Sequence, residues 1–320
     1  MKIFVAGATG VIGRSLVPLL VRAGHDVVGM TSSPQKVEQL RSMGATPAVC
    51  DALDAEAVQR VVVEAAPGAI VHELTRIPQK LDPRRYAEQF AATDRLRTEG
   101  TKNLVNAALA VGARRFVAQS VAFAYAPNGG TTKTEQDELY LDAPREFRGR
   151  VEAIRELERL VLETPGLEGI VLRYGYLYGP GTAWAKGGHM ASLVRKRRLP
   201  IVGPGTGVWS FVHVDDAAAA TVAAVERSRA GVFNVVDDDP APVAEWLPVY
   251  AKTLSAKKPF RVPTIIARLG AGKYGAEMMT KASGASNAKA KQEFGWHPVQ
   301  ASWRDGFRAN IDPGKQARSQ

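Results

Sequence analysis

The chain has 320 residues, 45% of them hydrophobic, enough for one large domain or two modest ones around a sizeable core, which excludes a disordered or fibrous protein. Its 42 Lys and Arg outnumber 32 Asp and Glu, and the net charge of +10 suits anions such as phosphate; no nucleic-acid-binding motif accompanies it, so no nucleic-acid partner is expected. No apolar run approaches a membrane span, glycines at 7, 10 and 13 interrupt any leader-like stretch, and the single Cys50 excludes an intrachain disulfide, so we expect a cytoplasmic protein without a membrane partner.

"KIFVAG" (2–7) reads as a buried strand, "GRSLVPLLVRAG" (13–24) as a helix stopped by Gly24, and "DVVGMT" (26–31) as a second strand. "TPAVCD" (46–51), "AIVHEL" (69–74), "RRFVAQS" (114–120) and "GIVLRYG" (169–175) continue the series, with helical patterns near 54–65, 84–111 and 149–163. Continuous apolar strands alternating with helices predict an α/β fold with a doubly wound, parallel, Rossmann-type sheet. Beyond residue 176 the pattern loosens around "GPGT" (179–182), "GG" (187–188) and "GPGTG" (203–207), and strand and helix character returns in 211–238. We therefore expect a Rossmann domain from 1–175 and 211–236, and a smaller C-terminal substrate-binding lobe from 176–210 and 237–320. The cations "RKRR" (195–198) form either a basic patch or a solvated run.

In "VAGATGVIG", Gly7, Gly10 and Gly13 follow a strand and open a helix. That context lets a backbone turn close around a pyrophosphate at the positive end of the helix. Thr9, Val11, Ile12 and Arg14 complete the expected cradle. An acidic residue at the end of the second strand would hold a ribose 2′-hydroxyl and select NAD. "TSSPQK" offers Thr31, Ser32, Ser33 and Lys36 instead, which with Arg14 suit a 2′-phosphate, so NADP is expected and NAD is the alternative. An ordinary Ser-Pro turn followed by a solvated lysine would look the same.

"GATGVIGR", "VVGMTSSPQK", "CDALD", "EGTKNLVNAA", "RRFVAQS", "VLRYGYLYGPGT", "FVHVDDAA" and "KQEFGWHP" occur in this order along nearly the whole chain. Together they resemble the extended short-chain dehydrogenase/reductase family, the NAD(P)-dependent epimerase/dehydratase group. The resemblance implies that Asp51 and Leu53 flank the adenine, that Leu74 and Thr75 line the path to the nicotinamide, and that Tyr174 and Gly175 belong to the nucleotide site. It also implies a homodimer through helices 84–111 and 149–163.

Relatives carry a Ser or Thr after the fifth strand and a Tyr-x-x-x-Lys on the next long helix, whose tyrosine moves a proton at the substrate oxygen. Here Ser120 falls in or beside the serine position, a shift of one placing Val121 there. Arg150 stands near the tyrosine position and Ile154 near the lysine position, and Arg97 replaces a customary Asn. The usual relay is absent. Ser120, Tyr125 and Tyr176 are the remaining catalytic candidates, while Tyr178 and His213 read as structural. His189 lies where relatives bind substrate. Trp209 replaces the arginine with which nucleotide-sugar enzymes grip a phosphate, so a small, apolar or ring-shaped substrate other than a nucleotide sugar is expected. No metal-ligand spacing is present. The expected function is an NADP(H)-dependent oxidoreductase or epimerase-like enzyme without the Tyr/Lys relay. The rivals are a non-redox lyase or cyclase that keeps the nucleotide, and an NADP-sensing regulator.

Overall fold

The computed structural model describes residues 1–78, 80–82 and 85–311. The apolar runs form β1 (Lys2–Ala6), β2 (Asp26–Thr31), β3 (Thr46–Val49), β4 (Ala69–His72) and β5 (Arg115–Val121). Between them lie α1 (Gly13–Arg22), α2 (Val37–Ser42), α3 (Ala55–Ala65), α4 (Tyr86–Arg95) and α5 (Thr101–Val111). The Asp54 carboxylate caps α3 by accepting from the Ala57 N–H at 3.0 Å. α4 and α5 are expected as one helix, but a π-helical turn, Leu96–Gly100, joins them. That turn shifts the hydrogen-bond ladder by one residue, and its Thr98 hydroxyl donates back to the Asp94 carbonyl of α4 at 3.1 Å. Residue 84, at the start of the expected helix, lies outside the described residues.

The short β6 (Thr132–Lys133) precedes α6 (Arg145–Glu163), which runs four residues further toward the N-terminus than its pattern suggests. Its Phe147, Val151, Ile154, Leu157 and Val161 are buried, a stripe at helical spacing. α6 leads into β7 (Glu168–Tyr174), and Gly169 is required where they meet, since a Cβ would overlap the Val161 carbonyl. Then come β8 (Tyr176–Tyr178), α7 (His189–Arg195), β9 (Ile201–Val202), β10 (Val208–Trp209), β11 (Phe211–His213) and α8 (Val214–Arg227). The chain continues through β12 (Gly231–Val235), β13 (Ala241–Pro242), α9 (Val243–Thr253), β14 (Arg261–Val262) and α10 (Thr264–Thr280). It ends in β15 (Gly284–Ala285), α11 (Ala288–Phe294) and α12 (Trp303–Ile311).

The main sheet has seven parallel strands in the order β12-β7-β5-β4-β1-β2-β3. Strand order reverses at β1, with Ala6 beside both Met30 and His72, so the carboxyl ends of β1 and β4 open a crevice above the sheet. One apolar layer packs α1 and α8 on the sheet, another packs α3 and α5 on its other face. A third core joins Trp184, Trp209, Phe211, Trp246, Tyr250, Trp303 and Phe307. The segment around α11 departs from its expected place in the second lobe: Ala290, Phe294 and Trp296 belong to the core over the sheet, with the Phe294 ring 5.1 Å from that of Phe233 on β12. The edge strand β12 would otherwise leave Phe233 uncovered.

Candidate active site

Between β1 and α1 the backbone turns through Gly7, whose φ of +92° only glycine adopts freely, and the Gly10 N–H donates to the Gly7 carbonyl at 2.9 Å. A Cβ on Gly7 would lie 2.7 Å from the Glu73 carbonyl carbon, and one on Gly13 would overlap the Gly7 carbonyl oxygen. No side chain caps α1 and no acidic residue stands in its first turn. The Arg14, Ser15 and Leu16 N–H groups donate to the Gly10 and Ile12 carbonyls, so an anion would be met by the amides of the glycine turn just before them and by the positive end of the helix. A nucleotide pyrophosphate fits this cradle.

At the end of β2, Thr31 is buried and Ser32 and Lys36 are exposed. The Thr31 hydroxyl lies 3.3 Å from that of Thr9 and accepts from the Ser33 N–H at 3.2 Å, so the two threonines tie the β2 turn to the glycine turn. No carboxylate stands among them. Arg14 is exposed, donating from Nε to the Gly10 carbonyl at 3.3 Å, and its guanidinium lies against Gly181, where a Cβ would overlap it. Asp51 accepts from the Leu53 N–H at 3.0 Å and so shapes the turn after β3. Leu74 N–H donates to His72 Nδ1 at 3.2 Å, while His72 Nε2 meets the Thr101 hydroxyl at 3.0 Å. Burial holds the His72 pKa down at about 4, so this imidazole is a neutral strut.

Glu73, which sequence reasoning passed over, lies directly under the glycine turn. It is 5% exposed, accepts from the Tyr174 hydroxyl at 2.9 Å, and leaves Oε2 without a hydrogen-bond partner. Burial pushes its pKa up to about 8, so it carries a proton at neutral pH. The signal was a lone carboxylate inside an apolar strand run, "AIVHEL". Tyr174 itself, expected at the nucleotide, is 1% exposed, and its hydroxyl also meets Thr221 at 2.6 Å. It is a core residue, while the neighbouring Gly175 passes so close to Ser210 that a Cβ would stand 2.6 Å from its carbonyl oxygen.

Two catalytic candidates are held in a buried chain of polar groups. The Ser120 hydroxyl donates to Glu158 at 2.7 Å, and Arg173 grips the same carboxylate through Nε at 2.9 Å and Nη2 at 2.6 Å. Arg173 Nη1 donates to the Tyr125 hydroxyl at 2.8 Å, which donates to Asn234 Oδ1 at 2.8 Å. Ser120, Glu158, Arg173 and Asn234 are each 5% exposed or less. Burial pushes the Tyr125 pKa up to about 12. These hydroxyls pin β5, α6, β7 and β12 together. Tyr176, the third candidate, is half-buried and lies in an aromatic stack, 4.6 Å from Phe123 and 4.0 Å from Trp209 between ring centroids and within 16° of parallel to each. Ala122, Met278 and Ser283 complete a small cleft around the stack. Trp209 donates from Nε1 to the Met278 carbonyl at 2.9 Å. His189 opens α7, its Nε2 buried without a hydrogen-bond partner.

On α6, Arg150 stands at the position of the family's proton-moving tyrosine, and it is turned toward α4. Its guanidinium lies 3.4 Å from the Phe90 ring centroid and donates to the Tyr86 hydroxyl at 3.0 Å. Asp94 lies 3.6 Å from Arg150 and 3.5 Å from Arg97 on the π-helical turn. Burial and then the neighbouring Arg150 charge lower the Arg97 pKa to about 10. Ile154 is fully buried. Both relay positions are thus packing positions here. Among the described residues no group of three or more His, Cys, Asp or Glu could hold a metal, and no helix is long and apolar enough to cross a membrane.

The family model described as NAD dependent epimerase/dehydratase matches residues 3–236. The chain is 47% identical over 308 residues to a 3-diazoavenalumate denitrifying reductase of Streptomyces sp, covering 96% of this chain and 99% of the relative. It is 25% identical to a 4-hydroxy-2-methyl-3-oxo-4-farnesyl-3,4-dihydroquinoline-1-oxide ketoreductase of Stigmatella aurantiaca, over 84% of this chain and 80% of that one. The fold is similar to UDP-glucose 4-epimerase with UDP-glucose from Thermotoga maritima, with a TM-score of 0.77, 22% identity and 99% of each chain covered. With a glycine cradle, a seven-stranded parallel sheet and reductases among its relatives, the chain is an enzyme of the NAD dependent epimerase/dehydratase family, the extended short-chain dehydrogenase/reductase type.

Proposed function

We propose that this enzyme is an NADPH-dependent reductase of a small aromatic compound bearing a diazo group, the diazo group being the one named in its 47%-identical relative. The observation that carries the reading is the loss of the proton relay: position 150 holds a guanidinium stacked on Phe90, and position 154 a buried isoleucine. Carbonyl reduction leaves an alkoxide that needs a proton from such a relay. A diazonium acceptor is already cationic and leaves no alkoxide, so a site built for it can dispense with the tyrosine. A dinucleotide held by the glycine turn and the β2 end would supply the hydride, the C–N bond would break with loss of dinitrogen, and the arene would end with a C–H bond in its place.

The chain's own residues provide holding and water exclusion. Phe123, Tyr176 and Trp209 stack on one another and give the small cleft a rigid apolar wall against which an aryl group would lie. Trp209 cannot neutralise a diphosphate, which supports a substrate other than a nucleotide sugar. Ser120 and Tyr125 are positioning groups in this reading, their hydroxyls being committed to Glu158 and Asn234. Ser32, Lys36 and Arg14 support NADPH over NADH at the β2 end, with Thr31 and Ser33 holding the turn. Asp51, Leu53, Leu74, Thr75 and Gly175 complete the assigned nucleotide site, and His189 the substrate side. The groove between α4 and α6, lined by Tyr86, Phe90, Arg95 and Arg145, supports pairing with a second copy. A cytoplasmic setting, where the reduced nucleotide is regenerated, belongs to the same reading.

The test is to mix the purified chain with 3-diazoavenalumate and NADPH or NADH, and to follow nucleotide oxidation together with dinitrogen release. NADPH deuterated at the transferred position should yield a product carrying deuterium. Nucleotide binding with neither oxidation nor gas release overturns the substrate class. Equal turnover with NADH overturns the cofactor preference.

A further inference from the structure

Two segments of this chain, 195–203 and 252–276, contain no Asp or Glu at all. The first holds four basic residues, Arg195 to Arg198, and the second six, from Lys252 to Lys273; all ten are exposed. The other 32 Lys and Arg are matched by 32 Asp and Glu, so the whole net charge of +10 resides here. This asymmetry has no counterpart in the site above.

The fold joins the two segments into one face. β9 pairs with β14, Ile201 lying beside Arg261, and the Ile201 N–H donates to the Phe260 carbonyl at 2.9 Å. The Arg197 guanidinium lies 5.4 Å from the Phe260 ring centroid. α10 starts immediately after β14, and its first half, up to the break at Gly272 (φ +75°), presents Ile265, Ile266 and Leu269 to solvent. They are 75%, 58% and 81% exposed, and Phe260 beside them is 42% exposed. The spacing i, i+1, i+4 puts the three aliphatic side chains on one side of the helix, with Arg268 at i+3 beside them.

Protruding branched aliphatic groups inside a field of cations match an anionic bilayer surface. Its headgroups attract the cations, and its acyl boundary takes up the aliphatic chains. A nucleic acid would use the cations, but its bases stack on aromatic rings and gain nothing from isoleucine and leucine. A protein groove favours aromatic and arginine anchors packed in pockets. We propose that the face formed by 195–203 and 257–273 docks peripherally on anionic lipid, with Ile265, Ile266 and Leu269 entering the headgroup–acyl boundary. Such docking is peripheral and needs no spanning helix. It is independent of the substrate assigned above.

The full chain would be sedimented with vesicles of phosphatidylcholine alone and of phosphatidylcholine mixed equally with phosphatidylglycerol, at low and high salt. Binding is expected only to the mixed vesicles, weakened about ten-fold or more by high salt. The double variant Ile265→Ser/Leu269→Ser alters only solvent-exposed side chains, so it should keep its nucleotide affinity while losing about ten-fold in vesicle partitioning. No binding to the mixed vesicles overturns the proposal. Undiminished binding by the double variant also overturns it, because charge alone would then suffice. Tighter binding to a DNA duplex than to vesicles at equal salt would assign the face to nucleic acid instead.

Discussion

Glu73 gives the clearest residue-scale consequence. Its carboxyl keeps a proton in the folded chain up to about pH 8, against an ordinary glutamate value of 4.5, because burial beneath the glycine turn disfavours the charge. Between those two values the unfolded chain has released a proton that the folded chain still holds. Stability therefore falls as pH rises from about 4.5 to about 8, and levels off above. Glu73→Gln keeps an oxygen for the Tyr174 hydroxyl and carries no titrating proton. It should be more stable than the parent at pH 8 by about 1–4 kcal/mol and equal to it near pH 4. Urea unfolding midpoints at the two pH values decide this, and parallel pH profiles for the two proteins would mean that Glu73 ionises normally. The residue was hard to see in the sequence because a strand buried on both faces does not alternate. Its one carboxylate looked like the end of the strand, not a group facing Tyr174 101 residues away.

At the scale of elements, Glu158 joins α6 to β5 and β7 through Ser120 and Arg173. Glu158→Gln leaves the Arg173 guanidinium buried without a counter-charge, and this should cost about 3 kcal/mol or more, read from the shift in unfolding midpoint. Ser120→Ala removes one neutral donor to the same carboxylate and should cost only about 1 kcal/mol. It should also leave turnover within a few-fold of the parent, since the hydroxyl points into the network. A large loss of turnover without loss of stability in Ser120→Ala would return the serine to a chemical role. The strands and their parallel order were legible because each buried strand is a short apolar run bounded by turn residues. The glycine turn was legible because its spacing and its strand–helix context coincide. The network was not, for Ser120, Tyr125 and Asn234 are brought together by β5, β7 and β12, and their pairing leaves no local pattern. The π-helical turn was equally hidden, since it shifts a ladder inside an unbroken helical pattern.

At the scale of the whole molecule, the two apolar layers on the sheet and the third core around Trp246 divide the work of binding. The third core depends on α12, the last described helix: Trp303 is fully buried, donates to the Asp239 carbonyl at 2.7 Å, and lies 6.3 Å from Phe211. Phe307 packs beside it, its ring centroid 5.2 Å from that of Phe211 and 4.7 Å from that of Tyr250. Sequence patterning gave 237–320 wholly to the second lobe, because helices separated by prolines carry no label for the core they join. The structure instead threads α11 back onto the sheet before α12 enters the third core. Trp303→Ala should therefore act unequally on the two functions. The cavity should cost the third core about 3–5 kcal/mol and disorder the aromatic cleft formed by Tyr176 and Trp209, reducing turnover at least ten-fold. The glycine turn rests on β1 and α1, which pack into the layers on the sheet and not into the third core, so nucleotide affinity should change by less than about three-fold. Measuring nucleotide binding and turnover on the same preparation separates the cases. Parallel loss of both would mean that sheet and lobe fold as one cooperative unit, in which the nucleotide site cannot outlast the lobe.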